Sequence, residues 1–150
     1  MSKYESPVLR ASEIPQIALD SMNDTHTAEV LLVNQLGALI EEAYNNKGGV
    51  QTGDDELNDK LTEWVEHTRE HFDGENQLME EFGFPAFSVH AGEHQRVLAQ
   101  LELLQQQWLG NHAIEPLAEF VFNEWPQWFD NHVNSMDMVT AQYLSQVDAG

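Results

Sequence analysis

Along four stretches of this chain, apolar residues return every three or four positions, and none of the stretches alternates strictly. A period of that kind lines up one face of an α-helix, and it leaves no pattern for half-buried strands. The first stripe is His26, Val30, Val33, Gly37, Ile40 and Tyr44. The second is Leu57, Leu61, Trp64, Thr68, His71, Glu75, Leu78 and Phe82, and the third is Phe87, His90, His94, Val97, Leu101, Leu104 and Trp108. A fourth helical stretch runs from about Ile114 to Leu144. Short connections between amphipathic helices predict an all-α fold, an up-down-up-down four-helix bundle. Residues 1–20 read as an N-terminal arm packed over one end of the bundle, and residues 21–150 as a single helical domain.

Punctuation between the stripes supports this division. Asn23 or Asp24 is the expected N-cap of the first helix, with Gly48 and Gly49 as its terminators. The acids of "TGDDE" open the second helix, where the helix dipole favours negative charge. Gly83 and Pro85 in "GFP" break it, and Gly110 is expected to close the third. Pro116 suits the first turn of the fourth helix. Pro126 lies well inside that helix, removes one hydrogen bond and crowds the preceding turn, so a kink or short break is expected near His132.

Charge and composition narrow the function classes. Acids outnumber bases 26 to 6, for a net charge of −20. Nucleic-acid phosphates and anionic lipid are repelled by such a surface. With no cysteine, disulfides, thiolate metal sites and cysteine catalysis are excluded. The sequence has no apolar run of membrane-spanning length, and "MSKYESPVLR" lacks a secretory pattern. The expected setting is a cytoplasmic monomer.

Against that background the polar residues on the stripes stand out. An isolated charge in a bundle core is costly, and such groups are normally paired or bound to a metal. Every helix supplies candidates: His26 from the first, His71 and Glu75 from the second, His90 and His94 from the third, His132 and Asp137 from the fourth. His71/Glu75 and His90/His94 are each four apart, which stacks the two side chains on one helix face. Imidazole and carboxylate together suit iron, zinc or manganese. A single His-x-x-x-His pair is weak evidence, since His67 also stands four before His71. His67 lies beside the stripe and reads as a rim residue, and His112 reads as solvated. The convergence of seven donors from four helices, with no Lys or Arg on any stripe, is what carries the metal reading. Asp137 fits less simply: five residues after His132, it lies about 140° away around an ideal helix, so the two converge only with helix distortion or from opposite edges of the inward face.

The segment "HFDGENQLMEEFGFPAFSVHAGEH" resembles the His-Phe-x-x-Glu … His-x-x-x-His segment of bacteriohemerythrins, "HVNSMD" resembles their His-x-x-x-x-Asp, and "MNDTHTAEVLLVNQL" resembles their first-helix segment. The resemblance covers about residues 15–145, and the family uses the same five-residue step to its aspartate. It implies a non-haem di-iron centre. His26 and His71 would hold one iron, and His90, His94 and His132 the other. Glu75 and Asp137 would bridge both, with an oxo or hydroxo group as third bridge. The two-histidine iron would then keep an open position for O2.

The implied function is reversible O2 binding for storage, delivery or sensing, without catalytic residues, with an oxygen-using enzyme as a candidate recipient. The alternative is a di-iron oxidase, peroxidase or nitric-oxide-handling protein using the same centre. Ferritin-like di-iron enzymes carry Glu-x-x-His pairs, and no histidine here has a glutamate three residues before it. Three departures from the family pattern are Phe84 for a usual tyrosine, Asn76 for a common acid, and Phe129 for a usual Leu or Ile one turn before His132. Phe129 is expected to face the open iron, among apolar pocket residues that include Trp125 and Leu78.

Overall fold

The structure, a computed structural model, describes residues 3–46 and 54–148. Among them the chain is all-helical: α1 Asp20–Asn45, α2 Asp54–Glu81, α3 Phe87–Asn111, then α4 Ile114–Glu119, α5 Trp125–His132 and α6 Met138–Asp148. The last three form one fourth helix, joined through two π-helical turns, Phe120–Glu124 and Val133–Asp137. The result is the four-helix bundle that the stripes predict. Its core is built from Val30, Val33, Leu36 and Ile40 of α1, Leu57, Leu61 and Trp64 of α2, Val97 and Leu101 of α3, and Leu117, Val121, Trp125 and Phe129 of the fourth helix.

Several boundaries differ from the sequence expectation. α1 starts at Asp20, one turn before the proposed cap, and Leu19 precedes it without a side-chain cap. Gly48 and Gly49 lie outside the described residues. Gly83 ends α2 as expected, with φ +65° and the Phe84 N–H donating to the Met79 carbonyl at 2.8 Å. α3 runs one residue past Gly110. Its left-handed residue is His112, at φ 53°, with its ring stacked on Trp108 at 4.8 Å. On α2, Met79 is fully buried and Leu78 only half-buried, because the inward line continues by four from Glu75 and not by three.

The N-terminal arm does not cap one end of the bundle. It runs antiparallel along α1, against the fourth helix. The Asn23 side chain donates to the Ile17 carbonyl and accepts from the Ile17 N–H, both at 2.9 Å. Three turns on, Asn34 engages Leu9 in the same way, at 2.7 and 3.0 Å. A side-chain amide offers both a donor and an acceptor, so each asparagine satisfies the N–H and the carbonyl of one residue of the arm. Farther along, Tyr4 is buried, meets Tyr44 edge-on and donates its hydroxyl to Glu119 at 2.9 Å. Gly37 permits this course, since a Cβ there would lie 2.5 Å from Val8.

The fourth helix breaks from α to π geometry just before Pro126, the short break expected of that proline. The Trp125 N–H reaches five residues back to the Phe120 carbonyl, which moves the preceding carbonyls away from the proline ring. The second π turn, Val133–Asp137, acts on the candidate site.

Candidate metal centre

His132 ends α5 and Asp137 ends the second π turn, where the Met138 N–H reaches back to Val133. A turn closed by five residues places positions i and i+5 on one face. The distortion that Asp137 needs is therefore built into the backbone, and His132 Nε2 lies 3.1 Å from Asp137 Oδ1.

The other helices deliver their candidates to the same depth. His26, Glu75, His90, His94, His132 and Asp137 are all buried, and the His71 side chain is only 5% exposed. Every one of the five imidazoles turns Nε2 inward. Asp137 Oδ2 lies 3.0 Å from His26, while its Oδ1 lies 3.0 Å from His90. Glu75 Oε2 lies 2.8 Å from His71, while its Oε1 lies 3.2 Å from His94. Each carboxylate thus divides its two oxygens, one toward His26 and His71, the other toward His90, His94 and His132. Donor atoms of Glu75, His90, His94, His132 and Asp137 lie within 4.8 Å of one another, as do those of His26, His71 and Glu75. The two groups, each of which could hold a cation, adjoin and share Glu75.

The donor set fits metal better than it fits itself. His90 and His132 oppose their Nε2 atoms at 3.1 Å, and at most one of two facing nitrogens can carry a proton comfortably. Glu75 Oε1, His94 Nε2 and Asp137 Oδ1 are buried, and none makes a hydrogen bond of full geometry, although each faces another donor atom of the cluster at 3.0–3.2 Å. Cations between these atoms would satisfy them. Electrostatics agree. Burial opposes ionisation of Asp137, yet the hydrogen-bonding imidazoles of His132, His26 and His90 hold it well below the usual carboxylate range. Glu75 is likewise held at about 2, against its burial, chiefly by His71. Burial pushes His94 down, toward the neutral form that ligates metal.

Outward-facing atoms hold the rings in place. His90 Nδ1 lies 2.8 Å from Thr140 Oγ1, and His94 Nδ1 lies 2.9 Å from Asn76 Oδ1. Asn76 therefore keeps an acceptor where the family commonly has an acid. Phe72 stacks flat on His94 at 4.1 Å, and Trp128 on His132 at 4.6 Å. Phe129 meets His26 edge-on at 5.6 Å and stacks on Trp125, so it stands on the two-histidine side as expected. His67 lies at the rim, its side chain 25% exposed, and His112 is exposed at the far end of α3.

Sequence reasoning missed Glu29. It is 2% exposed on α1 and belongs to no apolar stripe. Its Oε2 accepts from Trp64 Nε1 at 2.5 Å and Thr68 Oγ1 at 2.7 Å. Its Oε1 accepts from His67 Nδ1 at 2.9 Å and lies 3.3 Å from His71 Nδ1. Burial raises its pKa, but the bonds from His67, His71 and Thr68 outweigh that and bring it to about 2. The available signal was its place three residues after His26, on the inward arc with Val30 and Val33.

The family model described as the Hemerythrin HHE cation binding domain matches residues 18–144. A bacteriohemerythrin from Aquifex aeolicus (strain VF5) is 28% identical over 137 residues, covering 91% of this chain and 98% of that protein. A second bacteriohemerythrin, from Ralstonia nicotianae, is 28% identical over 141 residues, covering 93% of this chain and 91% of that protein. No solved structure matches the chain. With that match spanning the arm junction, all four helices and every clustered donor, the chain belongs to the hemerythrin family.

Proposed function

We infer that this chain binds O2 reversibly at a non-haem di-iron centre held by His26, His71, Glu75, His90, His94, His132 and Asp137. The observation that carries the reading is the division of the Glu75 and Asp137 oxygens between a two-histidine and a three-histidine group. His90, His94 and His132 with two carboxylate oxygens leave little room on their side. His26 and His71 supply fewer donors, and that side is where a small ligand fits.

A pair of ferrous ions held by these residues would supply the two electrons that reversible O2 binding needs. The residues favour their return. Five neutral imidazoles and two carboxylates stabilise the ferric state less than a carboxylate-rich set does. Phe129, Trp125 and Trp64 form a continuous aromatic wall behind His26, with centroids 4.7 and 5.9 Å apart, which excludes water from the two-histidine side. Among the described residues no helix is long and apolar enough to cross a membrane. A cytoplasmic monomer that stores O2, or delivers it to an oxygen-using enzyme, is the role we assign.

The test is an optical cycle. Mixing the diferrous protein with O2 should give a new visible absorption that disappears on degassing and returns on re-oxygenation. Immediate conversion to the ferric form with product turnover would overturn O2 carriage in favour of an oxidase.

A further inference from the structure

Glu29 and His67 lie outside the proposed ligand set, yet they join one of its members to the protein surface. Glu29 is fully enclosed and takes hydrogen bonds from two separate pairs of donors. Trp64 and Thr68 fix its Oε2. Its Oε1 is shared between His67 and His71, and His67 has the shorter bond, 2.9 against 3.3 Å. His67 and His71 are one turn apart on α2, with ring centroids 6.3 Å apart, so both reach that oxygen from the same side. His71 Nε2 meanwhile points inward, 2.8 Å from Glu75.

We propose that Glu29 is a positioning residue that holds His71 as its Nδ1–H tautomer with Nε2 toward the metal, and that His67 tunes this bond by competing for the same carboxylate oxygen. The proposal rests on the di-iron reading. A carboxylate accepting from the outer nitrogen of a ligating imidazole fixes the ring and raises its basicity. A more basic His71 stabilises the ferric over the ferrous state at the two-histidine side. His67 draws on the same lone pairs, so its bond weakens the one to His71. Two substitutions on either side of Oε1 then act in opposite directions. Glu29→Gln replaces the charged acceptor by a neutral amide that cannot accept from all four donors. His67→Leu removes only the competitor, at a position already part-exposed.

The experiment has two arms. In the Zn(II)-loaded protein, long-range 1H–15N correlation should show the His71 Nδ1 proton. That proton should move downfield in His67→Leu and upfield, or into exchange, in Glu29→Gln. This arm needs no iron chemistry, so it separates failure of the Glu29 proposal from failure of the O2 reading. In the iron-loaded protein, the midpoint potential should fall in His67→Leu and rise in Glu29→Gln, and the latter should lose iron affinity by roughly 10–100-fold. His67 is part-exposed, so His67→Leu is expected to keep the fold and both irons, and the sign of its shift decides the matter even where Glu29→Gln fails to fold. Shifts of the same sign in both variants, or an unmoved His71 proton in His67→Leu, would overturn the proposal.

Discussion

Stripping metal from the centre should destabilise the protein by an amount that its stranded atoms set. Glu75 Oε1, His94 Nε2 and Asp137 Oδ1 are buried, and without a cation none makes a hydrogen bond of full geometry. Each unsatisfied buried group costs about 1–3 kcal/mol, so the three together cost about 3–9 kcal/mol. Linkage gives a compatible figure: a ligand a thousandfold above its Kd stabilises the native state by about 4 kcal/mol. In a domain of this size each kcal/mol moves Tm by roughly 2–4 °C. The expected drop on chelation is therefore at least about 6 °C, and about 8–16 °C on the linkage figure. Calorimetry on iron-loaded and chelated samples reads it directly. In His94→Ala, which lacks one of the donors, the same treatment should shift Tm far less. Loaded and chelated native protein melting within about 2 °C of each other would refute the argument, because the inward-facing donors would then be satisfied without a cation.

Gly74→Ala and Gly92→Ala should each stabilise the protein by about 0.5–1 kcal/mol in urea unfolding, since a Cβ at either helical position meets nothing within 4 Å. Gly37→Ala should do the reverse, by about 1–3 kcal/mol, because the new Cβ meets Val8 at 2.5 Å and Phe122 at 3.3 Å; hydrogen exchange should then quicken at Leu9 as the arm lifts. Burial, aided by the bond to Glu119, pushes the Tyr4 hydroxyl up to about 12. A pKa raised in the folded state gives stability that is full below the ordinary tyrosine value near 10 and is lost as pH climbs through about 12. Ultraviolet titration against Tyr4→Phe should show that late ionisation, and a Tyr4 that ionises near 10 would contradict it.

Much of the bundle was legible because helix stripes report burial directly. His71/Glu75 and His90/His94 sit at the four-residue step that stacks side chains, and the structure brings all four together. Asp137 was legible as a residue but not as geometry. A wheel of 3.6 residues per turn cannot anticipate a π turn, and the wide hydrogen bond to Val133 that rotates Asp137 inward has no composition signature. Pro126 was legible as a break but not in its form: a proline in a helix announces a lost hydrogen bond, and here the break is a wider π turn. Glu29 escaped because acids are assigned to the solvent face by default, and its four donors lie 35 to 42 residues away in sequence. The path of the arm was hidden too, since Asn23 reads equally well as a helix cap or as a clamp for the arm.

The central claim is that seven side chains hold two irons that take up one O2 together. Iron content measured with O2 uptake on the same diferrous sample tests it most directly. Two irons and one reversibly bound O2 per chain are expected, with two irons retained in His67→Ala and iron lost in His94→Ala. A folded protein holding only zinc, or holding no metal, or two irons still bound in His94→Ala, would contradict it.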